Sequence, residues 1–231
     1  METPPSPASF ADQLADAARS LQGWSSTQLT LEKVVLVATE IIQDCDLVGI
    51  SIVHAHGIDT PVGSSETLNR IDELQYVLEE GPCFDALRMH EIVHSGDLAQ
   101  DPRWPRWGPL VADEAGARSI VSYRLYTTQD TLGAMNLYSA TLDAFDADDI
   151  NNGQALAAHV GVALANSQNA ENLELAISSR TVIGRAEGIL MERFSMPPDQ
   201  AFALLRRVSQ HRNVKLNRVA EELVRTGRTP T

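Results

Sequence analysis

Cysteine is nearly absent from this 231-residue chain, with Cys45 and Cys83 the only two. Two thiols cannot form a disulfide framework at this size, so a reducing cytoplasm is the expected home. Long apolar runs are missing too. The longest, Ala155 to Ala165, is rich in Ala and Gly, contains His159 and falls far short of a membrane span. Met1-Glu-Thr-Pro-Pro5 has neither a basic start nor an apolar stretch behind it, so no signal peptide is expected. No Walker loop, dinucleotide fingerprint or nucleophile elbow appears, and the abundant carboxylates read as a solvated surface rather than catalytic pairs. No catalytic residue, metal or cofactor is expected, and the chain is not expected to be an enzyme.

Positive charge is also scarce. Lys and Arg number 18 against 31 Asp and Glu, a formal net charge of -13. That balance argues against a protein that coats nucleic acid or lies on an anionic membrane. The scarcity is uneven, however. Met1 to Ile177 carries 8 basic and 26 acidic residues, whereas Ser178 to Thr231 carries 10 basic and 5 acidic ones. An acidic body of net -18 therefore precedes a basic tail of net +5, which implies two modules with different partners.

The body alternates between helical and extended periods. Helices are expected from Ala8 to Leu21, Gln28 to Gln43, Leu68 to Glu80, Pro82 to Met89 and Leu110 to Ala117. Strands are expected at Leu47–Val53, after Gly57, at Ile92–Val93, Ile120–Thr127 and Leu132–Ser139, the last two joined through Gln129-Asp130 as a central hairpin. This order gives an α+β layer with an antiparallel sheet and flanking helices. From Asp146 to about Phe194 the chain reads as one continuous helix with carboxylates in its first turn. Leu156, Val160, Ala163, Ala170 and Ile177 approximate a heptad along it, which suggests pairing with a second chain. Pro197-Pro198 then turns into a helix bearing Ala201, Leu204, Leu205 and Val208. Asn213 is the expected N-cap of a last helix built on Leu216, Val219, Ala220 and Leu223, ended by Gly227 and Pro230.

Across Arg180 to Val224 the tail resembles the ANTAR domain, an RNA-binding antitermination module. The resemblance rests on the ordered set Ala186, Gly188, Met191, Ala201, Leu205, Ser209, Asn213, Leu216 and Ala220, spread over three helices. Glu187 stands where that family commonly has Lys, and Pro197 where it has a Ser or Thr cap. From about Gln22 to Asn166 the body is similar to a GAF domain, a sensor or dimerisation fold. The matching residues are Gln75-Tyr76, Glu80-Gly-Pro-Cys83 with Ala86, Asp101 with Arg103-Trp-Pro105, and Leu132 to Tyr138. Together they look like the GAF–ANTAR regulators of actinobacteria. The organisation implied is a helical extension over 1–21, a GAF-like domain over 22–166, a coiled-coil-like linker over 167–179 and an ANTAR domain over 180–231.

The resemblance implies a homodimer, through the GAF domain and the long helix, that binds paired RNA stem-loops and blocks a terminator hairpin. Nine of the ten tail cations are Arg, which clamps phosphate and stacks on unpaired bases. The residues expected to contact RNA are Arg185, Arg193, Arg206, Arg207, Ser209, Asn213, Lys215 and Arg218. Asn213 reads equally as a helix cap. An unknown small molecule at the GAF domain would meet Tyr76, Cys83, Trp104 and Tyr123. Cys83 is either a thiol activated by a helix N-terminus or a buried small hydrophobe. Trp104 and Trp107 either cover a pocket or pack. His54 with His56, and His90 with His94, lack a third ligand at metal spacing. A second reading is a small-molecule or redox sensor whose helical tail binds a protein partner.

Overall fold

The computed structural model describes residues 9–21, 23, 26–54, 57–89, 92–128 and 130–228. Gln22, His56, His90, Gln129 and Pro230 lie outside them. The chain divides into two compact units, 1–168 and 169–231.

In the first unit, α1 (Phe10–Ser20) and α2 (Thr27–Ile41) precede a hairpin of β1 (Leu47–His54) and β2 (Gly57–Gly63). Then come α3 (Glu66–Leu78), α4 (Pro82–Met89), β3 (Val93–Ser95), α5 (Trp107–Glu114), β4 (Ser119–Tyr126) and β5 (Thr131–Ser139). The five strands form one antiparallel sheet in the order β2-β1-β5-β4-β3. Side-chain alternation sends Val121, Tyr123, Leu125, Met135 and Leu137 to one face, where they pack with α1, α2 and Leu156, Val160 and Leu164. Ile120 and Tyr138 point to the other face, where Leu68, Ile71, Ala86 and Val111 of α3, α4 and α5 cover them. Helix α1 belongs to this core, burying Ala17 with Leu21 after it, and a reciprocal Ser9–Asp12 capping box starts it.

Several elements begin a residue or more away from where the sequence pattern puts them, α3 at Glu66 rather than Leu68 among them. Helix α5 starts at Trp107 rather than Leu110. Pro109 falls in its first turn, where the missing N–H forfeits no intrahelical bond. The short strand is Val93–Ser95 rather than Ile92–Val93, because Val93, His94 and Ser95 pair with Ser122, Val121 and Ile120.

Helix α6 (Ala147–Phe194) runs for 48 residues. Asp146 starts it, its Oδ1 accepting from the N–H groups of Asp148 and Asp149 at 2.8 and 2.9 Å. The heptad read along this helix needs correction over its first half. Leu156, Val160, Ala163 and Ser167 are buried within the first unit itself, so they are not free to form a seam. The exposed large apolar residues of the helix are instead Val162, Leu173, Leu175, Ile177 and Phe194.

In the second unit α6 is followed by α7 (Pro198–Arg212) and α8 (Leu216–Thr226). Ala186, Leu190, Ala201, Leu205, Val219, Ala220 and Leu223 are its buried centre. Pro198 occupies the first turn of α7, and Pro197 supplies no side-chain cap. Asn213 is not the N-cap of α8. It closes α7 in the left-handed region at φ 51°, its N–H bonding back to Ser209 and Gln210, and Lys215 takes the N-cap position of α8. Asn is among the few side chains that tolerate this conformation, so the residue serves the end of one helix rather than the start of the next.

Candidate functional site

The cations of the second unit face outward. Arg185, Arg193, Arg206, Arg207, Lys215 and Arg218 are exposed, as are Arg180, Arg225 and Arg228. Arg212 is the exception, half-buried and bonded to Glu222 at 2.9 Å. Arg218 reaches Glu221 at 3.2 Å across one helical turn, an exposed pair that contributes little to stability. Ser209 is turned inward: its Oγ donates to the carbonyl of Val214 at 2.6 Å, and its own carbonyl accepts from the Val214 N–H at 3.0 Å. Ser209 and Asn213 thus form the α7–α8 turn, which carries Lys215 and Arg218 just beyond it. An open groove of about 560 Å³ runs along α7 between Gln200, Leu204, Arg206, Arg207 and Gln210. A second groove, of about 640 Å³, lies between α6 and α7 beside Arg180, Ile183, Glu187 and Phe202. Phe202, Gln200 and Gln210 were not singled out from the sequence as contacts, although all three fall within the Arg180–Val224 stretch.

The first unit holds a buried polar cluster between α3 and the sheet. Asp72 is fully buried, and its carboxylate accepts from Gln75 Nε2 at 2.9 Å, Asn136 Nδ2 at 3.2 Å and the Tyr138 hydroxyl. Asn136 Oδ1 in turn accepts from Ser122 Oγ at 2.6 Å, and Gln75 Oε1 from the Cys83 N–H at 2.9 Å. Burial pushes the Asp72 pKa up to about 6, while the three donors oppose that rise. Two glycines leave room for this arrangement. A Cβ at Gly49 would collide with Asp72 Oδ2, and one at Gly81 (φ 130°) with the Gln75 side chain. Sequence reading quoted Gln75 and the Leu132–Tyr138 strand as fold markers but missed Asp72. A lone Asp inside an amphipathic helix gives no sign of burial.

Of the four residues expected around a ligand, the structure brings two together. Tyr76 Oη lies 2.7 Å from Cys83 Sγ, on the α3–α4 side of the sheet. Cys83 is fully buried, and burial pushes its thiol up to about 12, the reverse of helix-terminus activation. Trp104 is a core residue whose Nε1 donates to Asp85 at 2.8 Å. Its ring meets Trp107 edge-on at a centroid distance of 6.0 Å, so the pair packs. Tyr123 sits on the opposite face of the sheet, its hydroxyl bonded to the Ile150 carbonyl at 3.1 Å. His54 pairs with Asp59 at 2.8 Å. Among the described residues no three His, Cys, Asp or Glu side chains are placed to hold a metal ion, and no helix is long and apolar enough to cross a membrane.

The sandwich of helices about a five-stranded antiparallel sheet is the fold of GAF-type sensors. Solved structures that share it include the following three. A free methionine-R-sulfoxide reductase from Neisseria meningitidis matches with 17% identity and a TM-score of 0.53, covering 74% of this chain and 99% of its own. The corresponding Staphylococcus aureus protein gives 13%, 0.54, 71% and 99%. The GAF domain of a Coxiella burnetii phosphoenolpyruvate-protein phosphotransferase gives 14%, 0.56, 69% and 95%. At these identities the likeness is one of fold. No curated protein sequence matches significantly. The GAF domain model matches residues 6–165 and the ANTAR domain model residues 171–224. The chain belongs to the GAF domain family and carries a C-terminal ANTAR domain, the arrangement of a GAF–ANTAR regulator. A sensory domain thus precedes an RNA-binding antitermination domain, and both are regulatory rather than catalytic modules.

Proposed function

We propose that the chain is an antitermination regulator that binds tandem stem-loops in nascent RNA as a homodimer, and that the GAF unit biases that state. The observation that carries this reading is the outward cationic surface of the ANTAR unit, where nine of its ten cations are exposed. Arg185, Arg193, Arg206, Arg207, Lys215 and Arg218 take phosphates and loop bases, and Ser209 and Asn213 hold the turn between the two contacting helices. Exposed Leu173 and Ile177, one helical turn apart on α6, supply an apolar strip for the partner chain. Two ANTAR units held in one dimer engage two stem-loops with the gain of effective concentration, which suits a tandem target.

The acidic body repels RNA and confines contact to the tail. Its input is a small molecule at the α3–α4 side of the sheet, where Tyr76 and Cys83 meet. A redox input is less well supported, because the Cys83 thiol is buried and its pKa is raised. Binding takes place on nascent transcripts in the cytoplasm. Filter-binding titration of the full chain against two adjacent stem-loops tests the reading. Tighter binding than to an unstructured RNA of equal length, weakening steeply with salt, supports it. Equal affinity for the two RNAs overturns it.

A further inference from the structure

We propose that the α6–α7 groove of the ANTAR unit is a pocket for one unpaired loop base, with Phe202 as stacking platform and Glu187 as reader of the base edge. This rests on the RNA-binding reading and adds a base-specific subsite to it. The groove is open to solvent along one side and spans about 640 Å³, room for a single flat base. Phe202, on the second turn of α7, is 39% exposed, so part of its ring is open to the groove. Ile183 adds a second apolar wall, and Gly184 beside it has open space where a Cβ would be, so a flat ring can approach the α6 backbone. An exposed aromatic bordered by apolar and small residues is the recurring platform for an unstacked RNA base.

The charges at the groove point to the class of base. Arg180 is exposed at its edge, placed for the phosphate of the same nucleotide. Glu187 also lines the groove, half-buried, and forms no salt bridge among the described residues, whereas Glu221 and Glu222 of the same unit each pair with an Arg. A partly buried carboxylate gains most from N–H donors, and a phosphate would repel it. A base edge supplies what the carboxylate lacks. Guanine offers adjacent N1–H and N2–H donors, one for each carboxylate oxygen, whereas adenine and cytosine offer a single amino group and uracil a single imino group. The acidic residue that cuts against phosphate binding is therefore assigned a selective role, favouring guanine at one loop position.

The test uses the full chain and a pool of paired stem-loop RNAs with fixed stems and randomised loops, selected by binding and sequenced. The wild type is expected to enrich guanine at one loop position. Glu187→Gln is expected to abolish that enrichment with less than about threefold loss of bulk affinity, since the stacking surface and all cations remain. Phe202→Leu is expected to weaken binding roughly tenfold, and Phe202→Trp to retain it. Circular dichroism and light scattering on each variant report folding and oligomeric state. If the wild type binds no stem-loop above an unstructured control, the RNA reading itself fails. If it binds, and Arg206→Ala weakens binding, but Glu187→Gln and Phe202→Leu leave the selected loops and affinity unchanged, the base pocket alone is overturned. A Phe202→Leu variant that changes oligomeric state and not RNA selection overturns it as well, assigning the groove to a second copy of the chain.

Discussion

The two units solve the problem of polar residues in opposite ways. The GAF unit, acidic outside, draws Asp72, Gln75, Asn136 and Ser122 into the interior and saturates them with one another. The ANTAR unit buries seven apolar side chains as its core and leaves its cations in water. An interior polar network specifies one arrangement of α3 on the sheet but tolerates no loss of a partner. An outward cationic surface over a small core tolerates surface change and is vulnerable at the core. Structural specificity thus resides inside the first unit, and partner specificity on the outside of the second.

Truncations in the two cores are expected to have the largest effects and to separate the units. Asp72→Ala leaves the donors of Gln75, Asn136 and Tyr138 buried without their acceptor, at a cost of about 1–3 kcal/mol for each stranded donor. Leu205→Ala removes the centre of the small bundle, at about 2–5 kcal/mol. In denaturant titrations the first should lower only the GAF transition and the second only the ANTAR transition and RNA affinity. A single shared transition that moves equally in both variants would erase the distinction between the units.

Acid titration sharpens the comparison within the first unit. The folded pKa of Asp72, about 6, exceeds its ordinary value of 3.8 because of burial. The folded state therefore holds the proton more tightly, and this group's contribution to stability falls as pH rises from about 4 to about 6. Asp101 runs the other way. Hydrogen bonds from Arg103 hold it at about 2, so its contribution is present above pH 4 and is lost on acidification toward 2. The stability difference between wild type and Asp72→Asn should shift by up to about 3 kcal/mol between pH 4 and 6 and stay level above 7. A difference independent of pH would contradict the burial of Asp72.

Smaller effects are expected on the outside of the second unit. Replacing Arg206 and Arg207 together by Ala should reduce affinity for stem-loop RNA about tenfold and lower the salt slope by roughly 1–2, with folding intact. Gly188→Ala should stabilise the ANTAR unit by about 0.5–1 kcal/mol, since Gly188 is in mid-helix with open space at the Cβ position, and thermal melting would register it.

Patterns that repeat along the chain were legible in the sequence. The length of α6, the Pro82 start of α4, the Gly227 end of α8 and the β4–β5 pair all follow from periodicity and punctuation. What was not legible depends on contacts distant in sequence. Asp72 and Asn136 meet across 64 positions, so neither helix period nor strand alternation marks them as partners. Tyr123 and Tyr76 looked equivalent as candidate pocket residues, yet the register of β4 sends Tyr123 to the other face. The heptad misled over its first half because a stripe that packs on the domain's own sheet has the same spacing as one that packs on another chain. In the tail, Asn213 was open between cap and contact, and its left-handed backbone assigns it to the end of α7.

The central claim is that RNA touches the basic unit and avoids the acidic one. Ultraviolet crosslinking of the full chain to a pair of adjacent stem-loops, with mapping of the crosslinked peptides, tests it most directly. The account predicts crosslinks in the stretch from Arg180 to Arg228, concentrated on α7 and the α7–α8 turn. Crosslinks concentrated instead on the strands and helices before Asn169 would contradict it.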